Sequence, residues 1–271
     1  MLKSFLNRSL FQAITLSLTV LLMLTGCGRA ALPESRNLGT MAIQQQRDAR
    51  TERLQDLQLR LEKVEAVKAI ERLQYAYGYY QDRFFYEQIP ALFTRNNPSV
   101  QWLNGVWEGE TGLQRLWLGY FSELFSAGAN QPVAGRLFDL PQWQSVVTVA
   151  EDGMSAQARF RTLGRQVDYR QAEYWIAGIY ENDYVREAGV WKIKNMRFCS
   201  PWSASYRDGW QSPLNADEIV QWMPTPLESY QADRQLVGSE TCQSTYTQAG
   251  MIEFHFSNPV TGARPRSVAF I

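Results

Sequence analysis

The sequence predicts an α+β domain, and three observations predict it. Apolar residues recur every three or four positions at Leu54, Leu57, Leu61, Val64, Val67, Ile70, Leu73 and Tyr77, which is one face of a helix. Past Gly135 the character changes to long strand-like segments: Leu137–Val149, Ser155–Val167, Glu173–Arg186 and Val190–Phe198. Turn dipeptides, Asp152-Gly153 and Ala188-Gly189, fall between those segments. Helices first and a meander after them place the helices on one face of a curved antiparallel sheet.

Composition narrows the function. The 271 residues carry 27 Lys+Arg against 27 Asp+Glu, so no net basic charge marks a nucleic-acid partner. A single histidine excludes His-rich zinc sites and zincin chemistry. Nor does the chain show Cys/His metal spacing, an acidic metal loop, a phosphate loop, a dinucleotide fingerprint or a nucleophile elbow. No metal or cofactor is expected.

Taken in order, the chain opens with an address. Lys3 and Arg8 precede an uncharged apolar run from Phe11 to Leu24, which is shorter than the ~20 residues of a comfortable bilayer span. It ends in Leu24-Thr25-Gly26-Cys27, which resembles a bacterial lipobox. That resemblance implies a signal peptide over 1–26, acylation of Cys27 and attachment to a lipid bilayer, with the periplasmic face of the outer membrane as the expected location. Cys199 and Cys242 then remain as an even pair in an oxidising compartment; a disulfide between them or two buried thiols are both open.

Residues 27–40 read as lipidated cysteine and tether, and 41–63 as a polar helical stalk. Lys68 and Glu71 interrupt a seven-residue repeat, so self-association through the stalk to a homo-oligomer is the less favoured expectation. A short helix follows over Tyr86–Phe93, then the breaker Arg95-Asn96-Asn97-Pro98. Ser99–Leu103 and Val106–Glu108 flank Asn104-Gly105, a hairpin signal. Thr111–Phe125 returns to helical spacing, ahead of the strands. Residues 203–271 are an aperiodic extension rich in Trp, Tyr, Pro and Ser, expected to wrap the domain or cap its mouth.

This order, together with Ala69–Arg83, Ile89-Pro90-Ala91-Leu92-Phe93, Trp107-Glu108-Gly109, Gly178–Val185 and Gly189–Ile193, resembles the SnoaL-like family of the nuclear transport factor 2 superfold over about 64–202. The resemblance implies a cone of three helices on a curved sheet with an apolar interior, suited to a small hydrophobic molecule. In catalytic members a Tyr, an Asp five residues later and a strand histidine move a proton beside a carbonyl; Tyr77 and Asp82 have that spacing. On a regular helix they lie about 140° apart, so convergence requires that the helix end or bend near Gly78–Asp82, which Gly78 permits. The family histidine falls near Asp139-Leu140, and neither is His; Asp139 is the only stand-in acid there. His255, in the tail, is expected to be partly exposed in a terminal strand. Arg161 either enters the cone as an anion partner or forms a salt bridge on the sheet surface, and Trp102, Trp143 and Tyr174 are candidate aromatic wall or core packing. Three readings follow: a ligand-binding lipoprotein, a lyase or isomerase using Asp82 with Tyr77, and a structural lipoprotein acting through its stalk or sheet face.

Overall fold

The computed structural model describes residues 34–209, 223, 226–237 and 254–264, with side chains from Gly39 onward. The signal segment and Cys27, and with them the expected acylation, lie outside the described residues. The chain divides into two compact units, Met1–Arg53 and Leu54–Ile271. The described part of the first is helical, and every side chain from Gly39 to Arg53 is exposed. Among the described residues no helix is long and apolar enough to cross a membrane.

Helix α1 spans Glu34–Asp82, so winding begins inside the stretch read as tether. Within the second unit its two apolar stripes part company. Leu54, Leu57, Leu61 and Val64 are exposed, whereas Ala66, Ile70 and Tyr77 are buried. At 100° per residue these sets occupy opposite sides of the helix. The described domain therefore covers only the second stripe.

The expected short helix is two 3₁₀ turns, Tyr86–Gln88 and Pro90–Leu92, because Pro90 lacks the N–H an α-helix needs at that point. Strands β1 (Ser99–Trp102) and β2 (Gly105–Glu108) form the hairpin. Its corner is Leu103-Asn104 rather than Asn104-Gly105, since Gly105 already pairs with Trp102 and Leu103 takes the positive φ. The next helical stretch is α2 (Gly109–Gln114), a π-wound segment (Arg115–Phe121) and α3 (Ser122–Ser126).

The predicted strand over 137–149 breaks in two: β3 (Arg136–Asp139) and β4 (Trp143–Val149), both pairing with β5 (Ser155–Asp168). The break has a steric cause. A Cβ at Gly164 of β5 would collide with the Asp139 carbonyl oxygen, so glycine alone lets the chain cross that close. Then β6 (Ala172–Glu187) and β7 (Val190–Ser205) complete the meander. Ala188 and Gly189 between them have φ of 48° and 81°, the two-residue turn with left-handed backbone at both positions. A last short strand, β8 (Arg234–Gln235), pairs with β2.

The sheet order is β3-β5-β6-β7-β1-β2-β8, with β4 also on β5. It is mixed and not purely antiparallel, because β1 runs parallel to β7. One face is the core, and it is dense with rings. Trp102 stacks on Phe198 at 4.0 Å between centroids, Phe125 on Phe138 at 4.0 Å, and Trp117 lies 4.5 Å from Phe121. Rings at these separations fill the apex of the cone.

Candidate functional site

The site lies at the mouth of that ring-filled cone. Because α1 stays regular through Asp82, Tyr77 points into the core and is fully buried, while Asp82 faces a cleft of about 410 Å³ and is half-buried. Asp139, Pro141, Gln142 and Trp143 form the opposite wall, and Tyr75, Gly78 and Tyr79 the α1 side. Helix α1 runs unbroken past Gly78 and ends at Asp82. Gly78 matters instead for close packing, because a Cβ there would stand 2.8 Å from Gln142 Cγ. Its glycine lets Gln142 lie flat on the helix.

Gln142 belongs to a buried amide relay. Its Nε2 donates to the Leu140 carbonyl at 2.6 Å, and its Oε1 accepts from Gln74 Nε2 at 2.8 Å. Gln74 Oε1 in turn accepts from Asn182 Nδ2 at 3.0 Å and from the Tyr184 hydroxyl at 2.8 Å. Asn182 Oδ1 receives the Arg197 N–H at 3.1 Å. The relay ties α1 to β6 and β7 and fixes the Leu140 peptide, whose N–H donates to Asp82 Oδ1 at 3.0 Å.

Electrostatics at Asp82 follow from this placement. Burial pushes its carboxyl from 3.8 up to about 6; the Leu140 N–H and Arg83 oppose the shift, and the neighbouring Asp139 reinforces it. Beneath it the Tyr77, Tyr86 and Tyr180 hydroxyls and both polar atoms of the Gln81 side chain are buried without a well-aligned hydrogen bond, although Tyr77, Gln81 and Gln142 all approach the Tyr180 hydroxyl. Each phenol is held well above its ordinary pKa by burial, and the Asp82 charge acts on all three. Unpaired buried polar atoms cost on the order of 1–3 kcal/mol each. Their convergence below a carboxyl is the most polar feature of the interior.

Other candidates fall elsewhere. Arg161 lies on the exposed face of β5, donating to Gln144 Oε1 at 3.3 Å, and does not enter the cone: residues alternate faces, and Phe160 takes the inward one. Trp102 is core packing, its Nε1 donating to Met223 Sδ at 3.2 Å. Tyr174 lines a separate groove of about 620 Å³ at the β5–β6 hairpin end. Trp143 is in the cleft. A bulge between Trp143 and Val146, with Gln144 at φ 47°, aims it there.

His255 departs from expectation. It belongs to no strand, and its side chain is 3% exposed because it packs on the sheet face and its Nδ1 pairs with Glu181 Oε1. Arg159 Nε donates to the same carboxylate at 2.5 Å and lies over the Phe254 ring. Cys199 is buried and disulfide-bonded; Cys242, its expected partner, lies outside the described residues. No group of three or more His, Cys, Asp or Glu among the described residues could hold a metal.

Sequence reasoning missed Gln74, Gln81, Tyr86, Gln142, Tyr180, Asn182 and Tyr184. A signal existed for two of them: Gln74 and Gln81 flank Tyr77 at helical spacing on the buried stripe, where amides need a purpose.

Comparison with known proteins agrees with this architecture. A model of the SnoaL-like domain matches residues 62–197. The chain belongs to the SnoaL-like domain family. Similar solved structures include a putative scytalone dehydratase from Novosphingobium aromaticivorans, 20% identical over 54% of this chain and 90% of that one, with a TM-score of 0.44. Another is a hexachlorocyclohexane dehydrochlorinase, LinA-type3, from Novosphingobium barchaimii: 15% identity, 54% and 92% coverage, TM-score 0.44. A putative dehydratase of the NTF2-like family from Streptomyces avermitilis is 12% identical over 49% and 95%, with a TM-score of 0.40. No curated protein matches the chain.

Proposed function

We propose that this is an envelope lipoprotein whose SnoaL-like domain binds a small, largely apolar molecule at the mouth of the cone, and that Asp82 exchanges a proton with it. One observation carries the reading: Asp82 faces an open cleft with a carboxyl poised at about 6, so near neutral pH both its forms are populated. In a lyase or isomerase step the Asp82 carboxylate takes a proton from a carbon beside an electron-withdrawing group. The C–H electron pair moves toward that group, and either a leaving group departs or the proton returns at another carbon. Behind Asp82 the phenols of Tyr77, Tyr86 and Tyr180, kept neutral by burial, feel its charge. Asp139, at the strand position of the family histidine, is a second carboxyl in the cleft. Incubation with small enolisable ketones in deuterated water tests the step: exchange at the α-carbon that disappears in Asp82→Asn supports it, and equal exchange in both proteins refutes it.

The ring-filled apex keeps a scaffold role in view, as does the exposed Leu54–Leu57–Leu61–Val64 stripe, a surface on which two copies could pair. Light scattering of Leu57→Glu/Leu61→Glu against the parent reads that directly. The lipid anchor rests on the Leu24–Cys27 motif, and loss of acyl labelling in Cys27→Ala tests it.

A further inference from the structure

We infer that the Asp82 cleft takes a molecule bearing a positively charged amine, whose cationic group lodges between the Asp139 carboxylate and the ring faces of Tyr79 and Trp143. This rests on the cleft being the ligand site and adds the class of ligand. Among the described residues the formally charged side chains lining the cleft are Asp82 and Asp139, and no described Lys, Arg or His lines it. Arg83 acts on Asp82 from outside the lining. An anionic guest would therefore meet two carboxyls with no cation in the wall.

The aromatic residues point the same way. Tyr79 is 70% exposed and Trp143 46% exposed, so neither ring owes its position to the core. Trp143 is presented by a backbone bulge, a local irregularity that re-aims one side chain. Ring faces attract cations through their quadrupole, most strongly for Trp, by about 0.5–2 kcal/mol. The Gln142 amide, the polar neutral group of that wall, is already committed to Leu140 and Gln74, so it has little left for hydroxyl-rich guests. The phenols of Tyr77, Tyr86 and Tyr180 lie deeper, fully buried and outside the lining, so the contacts offered to a guest are those of the rim. A small amine with a compact uncharged end suits such a rim, and about 410 Å³ holds one.

The test uses two probes of one shape. Choline and its uncharged isostere 3,3-dimethylbutan-1-ol are titrated into the full chain at pH 8, with calorimetry and Trp fluorescence as readouts. Choline is expected to bind at least about fivefold more tightly, the size of one cation–ring contact. Asp139→Asn and Trp143→Ala, rim variants whose unchanged melting confirms folding, should each weaken choline at least about threefold and leave the isostere unaffected. Equal binding of both probes overturns the charge preference and leaves the cleft as a site for neutral ligands. Binding of neither probe overturns the inference; if α-carbon exchange by Asp82 persists, the proposed function stands without it. Choline binding indifferent to Asp139→Asn and Trp143→Ala also overturns it, since the cation would then sit elsewhere.

Discussion

Gln142 holds the Leu140 carbonyl at 2.6 Å, and the N–H of that same Leu140 is the hydrogen-bond donor 3.0 Å from Asp82. A buried amide thus sets the environment of the candidate acid through one residue, Leu140, held at both its N–H and its carbonyl. Replacing Gln142 with Leu strands Gln74 Nε2 and the Leu140 carbonyl. A loss of about 1–3 kcal/mol in urea unfolding is expected, together with an upward move of the Asp82 titration as its N–H donor loosens. A variant that loses stability but leaves that titration unchanged would separate the relay from the acid.

Gly164 makes the same wall possible. Gly164→Ala drives a methyl into the Asp139 carbonyl, and that backbone oxygen cannot rotate away as a side chain could. We expect destabilisation of about 1–3 kcal/mol and loss of probe binding beyond what instability explains. Gly153→Ala, at an open turn with nothing within 4 Å of its Cβ though with φ of 66°, is the milder comparison.

The two tryptophans that the sequence groups as pocket wall should behave differently. Trp102, buried among Trp117, Phe121 and Phe198, is expected to cost about 3–5 kcal/mol on truncation to Ala. Trp143→Ala should leave thermal stability nearly unchanged and alter binding only. Melting curves of both variants decide the assignment.

Asp82 also imposes a pH dependence on stability. Its carboxyl titrates near 3.8 when unfolded and at about 6 when folded, so between those values the folded state holds the extra proton. Stability from this group is present below pH 4 and falls as pH rises through 6, because burial then confines a charge. Asp82→Asn removes that penalty. The variant should be the more stable protein at pH 8, with the gap narrowing toward pH 4, as read from urea midpoints across that range.

Much of the fold was legible in residues 64–202. Three-and-four spacing located α1, and dipeptides such as Ala188-Gly189 marked the meander, because solvent periodicity and turn sterics are local. What escaped was set by contacts distant in sequence. The break between Asp139 and Trp143 depends on a glycine in the next strand, and the parallel β1–β7 pairing depends on chain return across the whole sheet. In the site, Asp82 and Trp143 were readable. Tyr77 lies on the buried stripe, about 140° around the helix from Asp82, as the five-residue spacing on a regular helix requires. The Gln74–Gln142 relay joins residues 68 positions apart, and no local pattern announces it.

Asp82 stands at the wall of the cleft with a carboxyl that is half-ionised at about pH 6 and keeps a protonated fraction near neutrality. Following the Asp82 side-chain carboxyl carbon by NMR from pH 3 to pH 8 tests it most directly. A midpoint near 6 is expected; a midpoint at the ordinary carboxylate value of 3.8 would overturn the assignment of Asp82 as the proton-exchanging acid.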